Sequence, residues 1–225
     1  VFLEIFWDGF HGSPVTVWPR ARESSKWVGL GLRPILSGID PSIPVRVLTH
    51  SRGASVNCGA LWNLPLREGP ESNALYRERQ VKIPLPGQLS VRIGLLAPAM
   101  PEEDFDTYAP GASCPIERVI VGVNPDDAVL GKKPLPAEWL GSTTLGCDPQ
   151  AFFSRVSPRV GNSGFLVDLS LSEVHDFQDY LMRIPVEQIF LPLLLDRPPG
   201  AALTPGGLTE CTVEEPVATR GGASP

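Results

Sequence analysis

The sequence is poor in the residues that build metal centres and redox sites. It has only three histidines, His11, His50 and His175, and four cysteines, Cys58, Cys114, Cys147 and Cys211. The cysteines stand far apart, without a CxxC pair or a paired Cys/His spacing. Free thiols are therefore expected, rather than a disulfide framework or a metal site. So few histidines exclude a His-rich metal centre and leave few candidates for a general base, and no cofactor is expected. No Lys/Arg cluster offsets the formal net charge of −6, which excludes a nucleic-acid-binding surface. No stretch approaches the ~20 apolar residues of a membrane span, and no signal-peptide pattern opens the chain. A soluble, cytoplasmic protein is the expectation.

With 42% hydrophobic and 20% charged residues over 225 positions, the chain can bury the core of one ordinary domain. Apolar runs rich in β-branched residues alternate with longer mixed segments, which predicts an α/β fold with a mostly parallel sheet flanked by helices. The runs are Val1 to Phe6, ending at Trp7-Asp8-Gly9; Val45 to Leu48; Val91 to Leu96; Val119 to Val123; and Phe165 to Leu169. A helix is expected over Ser24 to Ile39, with Val28, Leu32, Ile35 and Ile39 as its apolar face, although Pro34 should kink it. A second helix is expected over Ala54 to Leu64, with Gly59 letting it lie close to the sheet, and a last one over Asp179 to Leu195. Leu66 to Ser90 reads as a polar excursion outside the core, and Met100 to Pro115 as an acidic loop of the kind that can cover a site. The folded domain is placed at 1–195. From Asp196 onward, Pro, Gly, Ala and Thr without periodicity suggest a disordered tail over 196–225.

The chemistry centres on Thr49-His50-Ser51-Arg52-Gly53, which follows a short strand and opens a helix. That is the setting of a nucleophile elbow: the serine sits on a tight strand-to-helix turn with its hydroxyl raised above the sheet. Gly53 supplies the small residue that such a turn needs, whereas Thr49 stands where a first glycine is usual. The helix N-terminus favours an oxyanion, and the Arg52 backbone N–H is its candidate donor. A base and an acid must then follow later strands. His175 follows the fifth run and is the candidate base. His50 is a poorer one, because adjacent strand positions point their side chains apart. His11 precedes the nucleophile in a Gly/Pro turn. Asp127 is the preferred acid after the fourth run, with Asp126 as the alternative. Trp7 and Asp8 end a strand at the same sheet edge as Ser51 and either line a pocket or shape the turn. Trp62 and Trp139 are expected to pack in or near the core.

Val45 to Asn63, VRVLTHSRGASVNCGALWN, resembles the nucleophile segment of α/β-hydrolases, above all their lipase/esterase-like and largely uncharacterised members. VRIGLLAPAM is similar to their next strand, IVGVNPDDAVL to the acid segment and VDLSLSEVHDF to the histidine segment. The resemblance implies hydrolysis of a small-molecule ester or other acyl substrate through an acyl-enzyme, with Ser51, His175 and Asp127 as triad. It also implies that the His-Gly-type turn giving the second oxyanion donor, and about three strands, would come before Val1; His11-Gly12 comes too late to replace that turn. An acyltransferase, or a non-catalytic binding protein of the same fold, would carry the same segments.

Overall fold

Four of the apolar runs form strands, and all four pair in parallel. The structure is a computed structural model that describes residues 14–66, 70–87, 89–131, 144–170, 175–197 and 208–209. The predicted strand from Val1 to Phe6 lies outside the described residues, as do Trp7, Asp8, His11, Trp139, Cys211 and nearly all of 196–225. Strands β1 (Val45–His50), β2 (Val91–Leu96), β3 (Ile116–Val123) and β4 (Gly164–Asp168) lie side by side in that order. A short β5 (Leu208–Thr209) adds antiparallel to β4. Parallel strands need crossovers that cover the faces of the sheet, so β2 and β3 are largely buried on both sides, whereas β1 is only partly buried and exposes Leu48.

The alternation along the strands divides the core in two. Val91, Ile93 and Leu95 of β2 and Val119, Val121 and Val123 of β3 face helix α2 (Gly53–Leu61) and the helical stretch α4 (149–160). Ile120 and Val167 face the opposite side, against Phe190 and Leu193 of α6 (186–195). Burying one such side chain contributes about 1.5–3 kcal/mol, so these rows dominate the stability of the sheet. Gly94 of β2 makes room for α6: a Cβ there would come 2.7 Å from the Phe190 ring.

Helix α1 (Pro14–Ser37) begins well before the expected Ser24, runs on for one turn past Pro34, and buries a different face from the predicted one. Ile35 is exposed, and the inward row is Lys26, Gly29, Leu30 and Arg33. The cause is the close crossing of α1 and α2, where a Cβ on Gly29 would lie 2.3 Å from the Val56 carbonyl oxygen. Gly59, expected to serve the sheet contact, instead faces α1, with its own added Cβ 3.3 Å from the Lys26 carbonyl oxygen. The two long polar side chains that flank the crossing reach partners of their own. Arg33 donates to the carbonyls of Gly59 and Trp62 and to Asn63 Oδ1 at the end of α2, and to the Ile83 carbonyl just past α3. Lys26 donates to the Pro65 carbonyl at 2.6 Å and pairs with Asp104 at 3.3 Å, both side chains fully buried.

Two segments read as peripheral are partly core. Leu66 to Ser90 contains α3 (Pro70–Lys82), and its Leu66 and Tyr76 form a small cluster with Leu30 of α1, while Leu89 joins the main core. The polar composition reflects an α3 that buries little beyond Tyr76. The acidic loop after β2 turns through Glu102–Thr107 and inserts Phe105 beside the buried Trp62, ring centroids 5.1 Å apart. Helix α2 ends at Leu61, earlier than expected, and Trp62 is core as expected. The predicted last helix is divided into α5 (Phe177–Leu181) and α6, which opens with a π-turn at Val186–Phe190. Cys58, Cys114 and Cys147 are free thiols. Among the described residues no helix is long and apolar enough to cross a membrane.

Candidate active site

Ser51 joins β1 to α2 with φ of +53°, a conformation that L-residues other than Gly, Asn and Asp adopt rarely. Backbone bonds on both sides hold the turn. The Ser51 N–H donates to the Leu96 carbonyl at 3.2 Å, and the Ser51 carbonyl accepts from Ala54 at 3.2 Å and Ala99 at 3.0 Å. The end of β2 thus braces the elbow, and Ala97 there also has positive φ, +42°. Gly53 packs against the end of β1, where an added Cβ would make an ordinary contact at 3.4 Å with that of Thr49. The Thr49 hydroxyl donates to the Gly94 carbonyl at 3.3 Å.

The three predicted residues come together from distant parts of the chain. Ser51 Oγ lies 2.8 Å from His175 Nε2, and His175 Nδ1 lies 2.5 Å from Asp127 Oδ2. A carboxylate only accepts, so Nδ1 carries the proton and Nε2 offers its lone pair to the serine hydroxyl. Asp127 is fully buried in the turn after β3, and its Oδ1 accepts from the backbone N–H groups of Val129 and Leu130 at 2.9 and 3.0 Å. Its Oδ2 also accepts from the Tyr180 hydroxyl at 2.6 Å. Burial opposes ionisation of Asp127 most strongly, but the hydrogen bonds from His175, Tyr180 and Leu130 outweigh it and hold the carboxyl below its ordinary range. Asp126 is exposed and does not face the histidine; its N–H caps back to Asn124 Oδ1 at 3.2 Å. Asp176 caps α5 by accepting from Gln178 and Asp179, which fixes His175 immediately before the helix.

Sequence reasoning set His50 aside as pointing away, and the structure corrects this. Its ring lies 4.7 Å from that of His175, and 5.6 Å from those of both Phe177 and Tyr180. Strand alternation does not govern the pair, because the chain has already left the strand at Ser51. Burial first, and the neighbouring His175 second, push the His50 pKa down to about 4, so the ring is neutral at pH 7. Tyr180 and Asn124 were missed altogether. Asn124 Nδ2 donates to the Tyr180 hydroxyl at 2.8 Å, and both residues are fully buried.

Arg52 begins α2 with helical φ and ψ of −67° and −18°, so its backbone N–H lies at the N-terminal end of the helix, beside Ser51. Its side chain turns inward. It is buried, and burial first and the neighbouring Arg22 second pull its pKa down to about 9 against the opposing pull of Asp104 and Glu23. Among the described residues, no three His, Cys, Asp or Glu side chains are grouped to hold a metal ion. No family model matches the chain, and neither a curated protein nor a solved structure matches it.

Proposed function

We propose that the chain is a serine hydrolase of the α/β-hydrolase type that cleaves carboxylic esters through an acyl-enzyme. One observation carries the reading. A serine at positive φ between a strand and a helix has its Oγ 2.8 Å from an imidazole whose other nitrogen meets a buried carboxylate at 2.5 Å. A structural serine needs neither the unfavourable backbone nor the base. Backbone strain of this kind costs on the order of 1–3 kcal/mol and tends to persist at functional sites.

In the proposed reaction Ser51 Oγ attacks the ester carbonyl while its proton passes to His175 Nε2. The Asp127 carboxylate stabilises the imidazolium and keeps the ring in register. The Arg52 N–H donates to the oxyanion of the tetrahedral intermediate. Collapse breaks the ester C–O bond, and the imidazolium returns its proton to the departing alcohol. Water, deprotonated by the same imidazole, then releases the acid and restores the serine.

Fluorophosphonate labelling of the chain tests this, with Ser51→Ala and His175→Ala as folded controls. Labelling of the wild type that is lost in both variants is the expected result. A folded wild type that takes no label would reject the reading.

A further inference from the structure

Asp127 receives more hydrogen bonds than an acid that merely orients a histidine requires. Its Oδ2 accepts from His175 Nδ1 at 2.5 Å and from the Tyr180 hydroxyl at 2.6 Å, so both donors share one oxygen. Asn124 Nδ2 donates to the Tyr180 oxygen at 2.8 Å, which fixes the direction of the phenol: its lone pair is occupied and its proton goes to Asp127. Asn124 in turn is held at the end of β3 by its N–H bond to the Gly146 carbonyl at 2.8 Å. Asp127, Tyr180 and Asn124 are fully buried, and His175 is half-buried at the open end of the relay.

We infer that Tyr180, aligned by Asn124, is a positioning residue that sets how much of the Asp127 charge reaches His175. The inference rests on the hydrolase reading above. A second donor on Oδ2 draws charge away from the His175 bond, so the imidazolium formed during acylation is stabilised less than by an unshared carboxylate. In exchange, the carboxylate stays ionised in a buried site, and its plane is fixed by four donors.

The charged and titratable groups around this pair come from each neighbouring element. They are His50 at the end of β1, Asp176 beside His175, and Arg183 after α5, whose guanidinium lies 4.4 Å from the Tyr180 ring centroid. Tyr180→Phe keeps the ring that packs against His50 and Arg183 and removes only the hydroxyl.

The test is the pH dependence of the fluorophosphonate labelling rate for wild type, Tyr180→Phe, Asp127→Asn and the double variant. Removing the phenol should move the acidic limb of the profile upward by roughly half a pH unit or more, because the hydrogen bond lost is one to a charged group. The same change in the Asp127→Asn background should leave the limb in place, since no carboxylate remains to transmit it. A limb that does not move in Tyr180→Phe, or that moves equally in both backgrounds, overturns the inference while leaving the hydrolase reading intact. No labelling of the folded wild type overturns both. Should Tyr180→Phe fail to fold, 3-fluorotyrosine incorporation serves instead: the more acidic phenol donates more strongly and should move the limb the opposite way. An unmoved limb there rejects the inference equally.

Discussion

The His50 ring lies 4.7 Å from the ring of His175, two half-buried imidazoles side by side next to Tyr180. They differ in what faces them. His175 has Asp127 and Ser51 as partners, whereas His50 Nε2 is buried without a hydrogen-bond partner among the described residues. Only one of the two has a partner that rewards a positive charge.

This difference makes stability depend on pH. With a folded pKa of about 4 against an ordinary 6.5, His50 binds a proton less readily in the folded state than in the unfolded one. Its contribution is therefore fully present above pH 6.5 and is lost as pH falls towards 4. Between pH 7 and 4.5 the loss is roughly 2 kcal/mol. His50→Phe replaces the ring with one that does not titrate, so urea denaturation at the two pH values should show a correspondingly smaller difference. An unchanged difference would mean that His50 is not the group responsible.

The Lys26–Asp104 pair ties α1 to the loop after β2 with both side chains fully buried. Removing Asp104 leaves the buried Lys26 with Glu23 at 4.0 Å as its remaining counter-charge, and loss of a buried partner costs about 3–5 kcal/mol, whereas replacing both members of a buried pair with apolar side chains is often close to neutral. Asp104→Ala should therefore unfold at markedly lower denaturant concentration than wild type. Lys26→Met combined with Asp104→Leu should recover most of that loss. A double variant as unstable as the single one would assign the stability to the Lys26 bond with the Pro65 carbonyl instead.

Strands were the most legible part of the fold. IGLL and VIVGV are buried on both faces, so each appears in the sequence as an apolar run, with Arg92 the one charged residue at the start of the first strand. Helix α1 buries a face the pattern does not show, because three of its four inward residues are Lys26, Gly29 and Arg33, and the two charged ones bond carbonyls from distant parts of the chain. No periodicity of apolar residues can report such a face. In the site, the strand-end positions of Ser51 and Asp127 are local properties of the chain. The Tyr180–Asn124 bond joins residues 56 positions apart and leaves no local trace. The hint in the sequence is the strand-end turn Asn124-Pro125-Asp126-Asp127, in which two acids and an amide sit close together.

Two glycines of α1 should respond oppositely to the same substitution. Gly29 meets the Val56 carbonyl oxygen at 2.3 Å if given a Cβ, and the obstacle is backbone. Gly31 faces open space. Overpacking of the first kind costs about 1–3 kcal/mol, while an exposed helical Gly→Ala gains up to about 1 kcal/mol. Gly29→Ala should lower the unfolding midpoint and Gly31→Ala should raise it. Equal effects would mean that α1 and α2 do not cross at Gly29.

Ser51 offers a direct measure of what the elbow costs. Its φ of +53° penalises any side chain with a Cβ, and glycine is relieved of that penalty. At an ordinary position in a structured element, glycine is less stable than alanine by roughly 0.5–1 kcal/mol. At Ser51 the order should invert. Both Ser51→Ala and Ser51→Gly remove the hydroxyl and the bond to His175, so comparing the two isolates the backbone term. Ser51→Gly should match Ser51→Ala or exceed it by up to about 1 kcal/mol in denaturant unfolding, the relief of φ outweighing the greater freedom of the unfolded glycine. If Ser51→Gly proves the less stable of the pair by the ordinary margin, the turn is not strained. The fold would then not be tolerating an unfavourable backbone in order to present this serine.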